Sequence, residues 1–143
     1  MPTIHRIAIL TSGGDAPGMN AAIRAIFRSA QQYDLHVYGI HRGYDGLIDD
    51  DIDLLSDEVI RNSLQRGGTI LKSARSDRFK THEGRQLAYR NLKDRDIDAL
   101  IVIGGNGTLT GASKLCVETD LKILGIPSTI DNDLYGTDYT IGF

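Results

Sequence analysis

The stretch TSGGDAPGMNAAIR, residues 11–24, lies between an apolar run that ends at Leu10 and a helical pattern that begins at Met19. The apolar run within residues 4–10 favours a strand that is buried on both faces of a parallel sheet. Beyond the glycines, apolar side chains recur every three or four positions: Met19, Ala22, Ile23, Ile26, Phe27 and Ala30. This spacing predicts an amphipathic helix. The quoted stretch is therefore predicted to join a buried strand to a helix through a glycine turn.

The glycine turn precedes a helix, whose first backbone N–H groups have no partner within the helix and point at one spot. A phosphate group fits such a position. Gly13 and Gly14 have a second interpretation, because short glycine turns join strands to helices in many α/β proteins and need only reverse the chain. The turn alone does not distinguish the two interpretations.

Length and composition predict one cored domain over residues 1–143, since 41% of the residues are hydrophobic. A formal net charge of -3 gives no positive field for nucleic acid. The sequence has no apolar stretch of transmembrane length and no signal segment, so we expect a soluble cytoplasmic protein without membrane contact. The lone Cys116 is expected to pack in the core beside Leu109, Ala112 and Leu115.

Strands and helices are predicted to alternate along the rest of the chain. Strands are expected at residues 35–41, at 99–103 and within LKILGIP (121–127), and helices at 56–65, from about Leu87 to Arg95, and from about Thr108 onward. Residues 42–47, RGYDGL, are predicted to be a loop. The acidic run Asp49, Asp50, Asp51 and Asp53 is interpreted as a solvated turn without function. The alternation predicts an α/β fold, a parallel sheet with helices on both faces.

Four loops of this predicted fold carry glycines or charged side chains: 11–18, 67–75, 104–108 and 127–133. Ligands of such sheets bind beyond the C-terminal ends of the strands, where the loops converge. Two standard phosphate motifs are nevertheless excluded. Met19 and Asn20 stand where a Walker A loop needs Lys and Ser or Thr, and Thr110 stands where the dinucleotide fingerprint needs a third glycine.

Charged residues in two of these loops suit phosphoryl transfer. Asp131 and Asp133 are two residues apart, so in an extended loop both carboxylates could point to one side, one to accept a proton and one to hold a cation. Arg75 suits the charge that develops on a transferring phosphoryl group. The alternatives are a solvated turn for the two carboxylates and an ordinary surface position for the arginine. With anion-binding loops beside them, they favour phosphoryl transfer to an alcohol.

Four segments closely resemble the 6-phosphofructokinase family, in the same order over essentially all 143 residues: LTSGGDAPGMNAAIR, RGGTILKSAR, VIGGNGT and PSTIDNDLYGTDYTIGF. The resemblance implies a Rossmann-like parallel sheet that transfers a phosphoryl group from ATP to the 1-hydroxyl of fructose 6-phosphate, with Mg²⁺. It implies catalytic roles for Gly14, Arg75 and Asp131, with Asp131 as the base. It also implies nucleotide contacts from Gly14, Tyr44, Arg75, Gly105, Asn106, Gly107 and Thr108, sugar-phosphate contacts from Thr129, Ile130 and Asp131, and metal contacts from Asn106 and Asp133.

Three departures from the family pattern concern the metal, the donor and regulation. Asn106 replaces the Asp that family members associate with magnesium. Gly107 and Ser128 differ from the Asp and Lys typical of pyrophosphate-dependent members, which favours ATP. Arg24 and Arg28 match the basic pair that binds the allosteric nucleotide in regulated bacterial members, but Asp57 falls where those members carry another arginine.

Family members are about twice as long as one ordinary domain, so we interpret the chain as the N-terminal, ATP-binding portion of a homotetrameric enzyme. By itself this portion is expected to be inactive, because most sugar-phosphate contacts would lie elsewhere. Three alternatives stay open: an NAD kinase or lipid kinase-like phosphotransferase, which shares the loop at residues 104–108, a pyrophosphate-dependent phosphofructokinase, and a non-catalytic nucleotide-sensing module.

Overall fold

The computed structural model describes residues 3–143, as five strands and five helices with one turn of 3₁₀ helix at Arg78–Lys80. The strands are β1 (Arg6–Thr11), β2 (His36–Ile40), β3 (Ile52–Leu54), β4 (Ala99–Gly104) and β5 (Lys122–Pro127). The helices are α1 (Met19–Gln32), α2 (Gly43–Ile48), α3 (Asp57–Arg61), α4 (His82–Asp94) and α5 (Asn106–Glu118). Within residues 3–143, no helix is both long enough and apolar enough to cross a bilayer.

The five strands form one sheet in the order β3-β2-β1-β4-β5. The central strand β1 is parallel to β2 on one side and to β4 on the other, where Ile9 lies opposite Ile101. Strand β5 continues the parallel arrangement beside β4. Strand β3 is antiparallel to β2, so the sheet is not wholly parallel.

Apolar side chains pack on both faces of this sheet, which confirms the predicted α/β class. One face carries α2, α4 and α5, whose core includes Leu47, Leu92 and Leu115. The other carries α1 and α3, with Met19 and Ile60 in its core. The buried run in β1 serves both cores, because alternate residues of a strand point to opposite faces. This arrangement leaves the C-terminal ends of β1, β4 and β5 free of covering helices, so the loops that follow them meet there.

The structure corrects the prediction between residues 42 and 54. RGYDGL forms α2 rather than a loop, and Tyr44, Leu47 and Ile48 are buried against the sheet. Asp53 of the acidic run lies in β3, and the three aspartates before this strand pair with arginines: Asp49 and Asp51 with Arg42, and Asp50 with Arg95. Two glycines in six residues disfavour a helix on propensity alone, so tertiary packing decides the outcome here.

Helix ends also differ from the predicted ones. Ser56 caps α3 as expected, by accepting a hydrogen bond from the Val59 N–H, but α3 ends at Arg61 rather than at Gln65. Helix α5 begins at Asn106, two residues before the predicted Thr108, so part of the glycine turn belongs to its first turn. This difference places the free N–H groups of α5 on the predicted nucleotide loop itself.

Cys116 is exposed, which corrects the prediction that it packs in the core. Its neighbour Leu115 is fully buried against the sheet, whereas Cys116 and Val117 face outward. The buried residues of α5 are Thr108, Ala112 and Leu115, and Cys116 lies beside this stripe, not on it. Helical periodicity identifies an apolar stripe, but it does not show which residues at the edge of the stripe are covered.

Candidate active site

The four loops converge on one cleft of about 810 Å³ at the C-terminal ends of β1, β4 and β5. A cleft of this size suits a small-molecule ligand. Its lining includes ten of the predicted site residues: Gly14, Tyr44, Arg75, Gly105, Asn106, Gly107, Thr108, Thr129, Ile130 and Asp131. Asp133, Arg24 and Arg28 are not part of the lining.

Three glycines of the lining have no structural reason to be glycine within the described chain. A Cβ atom added at Gly14 or Gly107 would meet no atom within 4 Å, and at Gly105 it would come no closer than 3.8 Å. None of the three adopts the left-handed backbone that favours glycine. Gly13, in contrast, has a φ of +84° and serves the turn itself. The open space beside the three glycines is the cleft, so they leave the backbone accessible to a ligand.

The N-terminus of α5 lies at this cleft. Gly105 is the N-cap of α5, and it has no side chain that could accept from the first N–H groups of the helix. The Gly105 carbonyl accepts a hydrogen bond from the Leu109 N–H at 3.0 Å. Gly104, the residue before the N-cap, is held at the end of β4 because its carbonyl accepts a hydrogen bond from the Ser128 N–H at 2.9 Å. Free N–H groups and the positive end of the helix dipole together favour an anion at this position.

Tyr44 and Phe79 form one wall of the cleft. Their rings stack with centroids 3.8 Å apart and planes 8° apart. The Tyr44 hydroxyl donates to the Thr108 carbonyl at 2.5 Å, and burial raises the pKa of Tyr44. Gly111 lies under the pair, where a Cβ would come within 3.2 Å of the Tyr44 ring. Both residues are buried, so the aromatic pair is held rigidly against the first turns of α5 and supports this side of the cleft.

Arg75 is exposed in the cleft and makes no ion pair with any other residue in the range 3–143. The segment before it is held against the glycine turn, because the Ser73 hydroxyl donates to the Gly13 carbonyl at 2.7 Å. The segment after it is held by Asp45, which accepts hydrogen bonds from Ser76 and Arg78. The guanidinium is therefore available to a ligand, on a chain segment that is anchored on both sides.

Asp131 is exposed in the cleft opposite the nucleotide loop, and residues 138–141 brace the turn that carries it. The Asp131 N–H donates to the Thr129 hydroxyl oxygen at 3.2 Å, and the Thr140 hydroxyl donates to the Thr129 carbonyl at 2.7 Å. Asn132 has a φ of +48°, so the chain turns between the two carboxylates instead of running extended. Asp131 and Asp133 therefore do not point to one side as an extended loop would place them.

The two residues predicted to hold magnesium, Asn106 and Asp133, do not bring charged oxygens together in the cleft. Asn106 offers only a neutral amide, at the positive end of α5, and Asp133 lies outside the lining. Mg²⁺ prefers charged oxygens and an octahedral shell. These two residues do not form a magnesium site by themselves, and their role in metal binding stays a prediction.

Arg24 and Arg28 lie on α1, away from the cleft. Arg28 pairs with Asp57, which also accepts from Arg61 at 3.1 Å. Asp57 is the residue that departs from the regulated family pattern, and its carboxylate neutralises one of the two arginines. The allosteric role of this pair stays a prediction.

The sequence reasoning missed Arg85, a buried residue of the cleft wall on α4. Arg85 donates two hydrogen bonds to Glu118 of α5, at 2.8 and 2.7 Å, and one to the Phe79 carbonyl at 3.0 Å. The Arg85 guanidinium holds the pKa of Glu118 down at about 2. A signal was present, because Arg85 lies on the same helical stripe as Ala88 and Leu92, and a charge on a buried stripe needs a partner.

We expect Glu118→Gln to lower the thermal unfolding temperature at neutral pH. We also expect the unfolding temperature of the variant to change less as the pH falls. Because the folded-state pKa of Glu118 lies below its ordinary value of 4.5, the pair stabilises the fold fully above pH 4.5 and loses this effect as the pH falls toward 2. The difference in unfolding temperature between the unsubstituted protein and the variant should therefore shrink over this range. Thermal unfolding at a series of pH values measures it.

Glu83→Gln is the matched control, since Glu83 is exposed in the first turn of α4 and takes part in no ion pair within residues 3–143. A difference between Glu118→Gln and the unsubstituted protein that stayed constant from pH 7 to pH 2 would contradict the assignment of the acid dependence to this pair.

Comparison with known proteins identifies a family for this arrangement. The sequence profile described as phosphofructokinase matches residues 6–143. The chain is 57% identical, over 143 residues, to the ATP-dependent 6-phosphofructokinase 2 of Bacteroides thetaiotaomicron and covers 44% of that protein. It is 53% identical to the ATP-dependent 6-phosphofructokinase of Cytophaga hutchinsonii, with 98% of this chain and 43% of that protein covered.

Among solved structures, the Pichia pastoris phosphofructokinase in the T-state superposes with a TM-score of 0.92 at 42% identity. The superposition covers 99% of this chain and 17% of that one. The chain thus spans less than half the length of the curated relatives that it matches, and the matched part contains all four cleft loops.

Proposed function

The chain belongs to the phosphofructokinase family, and we propose that it is the nucleotide-binding portion of an ATP-dependent 6-phosphofructokinase. In this proposal the cleft holds the ATP phosphates and the reacting hydroxyl of fructose 6-phosphate, and the phosphoryl group passes from ATP to the 1-hydroxyl. Residues 1–143 act as one nucleotide-binding domain, and the remainder of the enzyme supplies most contacts to the sugar phosphate.

The observation that carries the proposal is the open space beside Gly14, Gly105 and Gly107. Neither backbone strain nor packing within residues 3–143 requires glycine at these three positions. A ligand that approaches the backbone closely does require it, and the N-terminus of α5 beside them favours an anionic ligand. The polyphosphate of a nucleotide combines both properties.

The remaining residues of the cleft suit the chemistry of transfer. Arg75, which has no ion-pair partner in the described chain, would stabilise charge on the transferring group. Asp131 would accept the proton of the 1-hydroxyl as that oxygen attacks phosphorus. Thr129 and Ile130, which precede Asp131 on the same braced turn, would contact the sugar phosphate, and Tyr44 and Thr108 would line the nucleotide side.

ATP is favoured over pyrophosphate as the donor by the two residues that depart from the pyrophosphate-dependent pattern. A negative carboxylate at position 107 would face the phosphates, whereas Gly107 leaves that space open. Ser128 supplies only a neutral hydroxyl, which donates to the Ile141 carbonyl at 3.1 Å, where the pyrophosphate-dependent pattern has a lysine. The two relatives from Bacteroides thetaiotaomicron and Cytophaga hutchinsonii are both named ATP-dependent, which agrees with this donor.

Magnesium, in this proposal, is held mainly by the phosphate oxygens of ATP. It would lower the charge repulsion between the phosphates and the incoming hydroxyl oxygen. The neutral Asn106 and the more distant Asp133 add little charge to such an ion. A homotetramer in the cytoplasm, with nucleotide effectors near Arg24 and Arg28, is proposed on family resemblance alone.

Asn106→Asp is expected to lower the magnesium concentration that gives the half-maximal rate of the full-length enzyme. The new carboxylate adds a charged donor at the mouth of the cleft, and a negative charge is also favoured at the N-terminus of α5. Magnesium titrations at fixed ATP measure the effect. Asn62→Asp, an exposed position at the end of α3, is the matched control, and superimposable curves for parent and Asn106→Asp would contradict the prediction.

Gly14→Ala is expected to weaken ATP binding by about tenfold or more while the free energy of unfolding changes little. The added methyl group meets no protein atom but occupies space that the phosphates need. Calorimetric titration of the full-length protein with ATP, together with denaturant unfolding, separates the two effects. Gly67→Ala is the matched control, because a Cβ there also meets nothing and Gly67 lies outside the cleft lining.

The same titration with ATP, combined with turnover measurements on the full-length protein, tests the proposed function. Tight ATP binding with turnover of fructose 6-phosphate supports it, and turnover of NAD or diacylglycerol instead supports the related kinase groups. ATP binding without any turnover supports a nucleotide-sensing module. Equal ATP affinity in the Gly14→Ala and Gly67→Ala variants would show that the open space is not the phosphate site.

A further inference from the structure

The segment between α3 and Arg75 has no regular secondary structure, so its backbone polar groups need partners outside a helix or sheet. One side chain of α1, Asn20, provides three of them. Its Nδ2 atom donates to the Ser63 carbonyl at 3.1 Å and to the Arg66 carbonyl at 3.1 Å. Its Oδ1 atom accepts from the Ile70 N–H at 2.7 Å. Asn20 is almost completely buried, with 3% of its surface exposed.

A second contact ties the same segment to β1. The Thr11 hydroxyl donates to the Lys72 carbonyl at 3.0 Å, and its oxygen lies 2.9 Å from the Thr69 hydroxyl. Each hydroxyl has one proton, so Thr69 is the donor in that pair and its oxygen is left to accept from the Leu71 N–H at 3.2 Å. The buried polar groups of residues 69–72 are therefore paired in a single pattern that specifies one position for the chain.

Asn20 differs from the threonine pair in that it spans the segment. It joins residues 63 and 66, near the end of α3, to residue 70, which is five positions before Arg75. Helix α1 is packed on the sheet through Met19 and Ile23, so the amide is fixed relative to the glycine turn that directly precedes α1. A buried amide with three hydrogen bonds has no equivalent alternative position, because each broken bond would leave a backbone group unpaired.

We propose that Asn20 is a positioning residue that, together with the hydrogen bond from Ser73 to the Gly13 carbonyl, holds Arg75 beside the glycine turn of residues 13–14. The side chain touches neither the nucleotide nor the sugar; it acts by holding residues 63–70 so that Arg75 faces the phosphates. This inference rests on the proposed function for the identity of the ligand, but the hydrogen bonds that carry it do not depend on that function.

The test uses Asn20→Asp in the full-length protein. Aspartate has the same shape and can still accept from the Ile70 N–H, but its second oxygen faces the two carbonyls of Ser63 and Arg66 and repels them. We expect faster hydrogen exchange of the amides of residues 68–76 and an ATP affinity about tenfold weaker. Phe27→Leu is the control, because it disturbs the same core from the same helix without removing a side-chain hydrogen bond to this segment.

A double-substitution cycle with Arg75→Leu shows whether Asn20 acts through Arg75. We expect Asn20→Asp to change ATP affinity by less than about twofold once Arg75 is absent. A tenfold loss in both backgrounds, or an equal loss in Phe27→Leu, would overturn the proposal and leave Asn20 as a general stabiliser. If Asn20→Asp does not fold, Asn20→Ser, which is smaller and uncharged, replaces it in the same cycle.

Hydrogen exchange keeps this inference separate from the proposed function. If the unsubstituted protein does not bind ATP, the proposed function fails, and the exchange rates alone decide the positioning role. Faster exchange of residues 68–76 in Asn20→Asp than in Phe27→Leu then supports it, and equal exchange overturns it.

Discussion

Asp131→Asn is expected to lower kcat for fructose 6-phosphate by about a hundredfold or more in the full-length enzyme, with ATP affinity within about twofold of the parent. A general base acts only as the proton moves, so its loss raises the barrier to transfer without weakening ground-state binding. Asparagine keeps the size of the side chain. It also leaves in place the hydrogen bond that the N–H of residue 131 donates to the Thr129 hydroxyl oxygen. The two quantities are measured by steady-state kinetics and by calorimetric titration with ATP.

Asp138→Asn is the matched control for this substitution. Asp138 belongs to the bracing segment, and its backbone carbonyl, not its side chain, accepts the hydrogen bond from Asn132. A kcat within a few-fold of the parent together with a raised KM in Asp131→Asn would make Asp131 a binding residue and would contradict its assignment as the base.

Gly46→Ala is expected to destabilise the fold by about 3 kcal/mol or more, the largest effect on stability that we expect from a single added methyl group. The reason is the close approach of α2 to the residue that follows β2: a Cβ at Gly46 would lie 1.5 Å from the His41 carbonyl oxygen, which cannot move without shifting the end of β2. The His41 N–H is itself bound to the Asp51 carbonyl at 2.9 Å, so the strain would spread into β3. Denaturant unfolding measures the loss.

Gly67→Ala again serves as the control, because it adds the same methyl group where no atom lies within 4 Å. An unfolding free energy for Gly46→Ala within 1 kcal/mol of this control would mean that residues 41–51 relax more readily than their packing implies.

The parts of the fold that were predictable from the sequence are those in which one physical pattern acts alone. The unbroken apolar run before Thr11 predicted β1, and the regular apolar spacing after Gly18 predicted α1 from its first residue. Glycines and charges at junctions between strands and helices predicted the convergence of the four loops, because ligands of such sheets bind where the loops meet beyond the carboxyl ends of the strands.

The parts that were missed depend on contacts between distant residues. Helix α2 is short and contains two glycines, and only its burial between β2 and α4 stabilises it. The pairing of Arg85 with Glu118 joins two residues that are 33 positions apart in the sequence, and the bend at Asn132 depends on residues 138–140. Local spacing carries no information about such partners, so the separation of Asp131 from Asp133 could not be foreseen.

The central position of β1 determines when the cleft can form during synthesis. Gly14 leaves the ribosome about 90 residues before Gly105, which at about 5–20 residues per second corresponds to roughly 5–18 seconds. During that interval β1 can pair with β2, but the α5 side of the cleft does not yet exist. Pairing of β1 with β4 closes a long loop and is therefore a slow, late step in folding. Under the proposed function, a nucleotide would not assist the early steps and would stabilise the nascent chain only after β4 has joined the sheet.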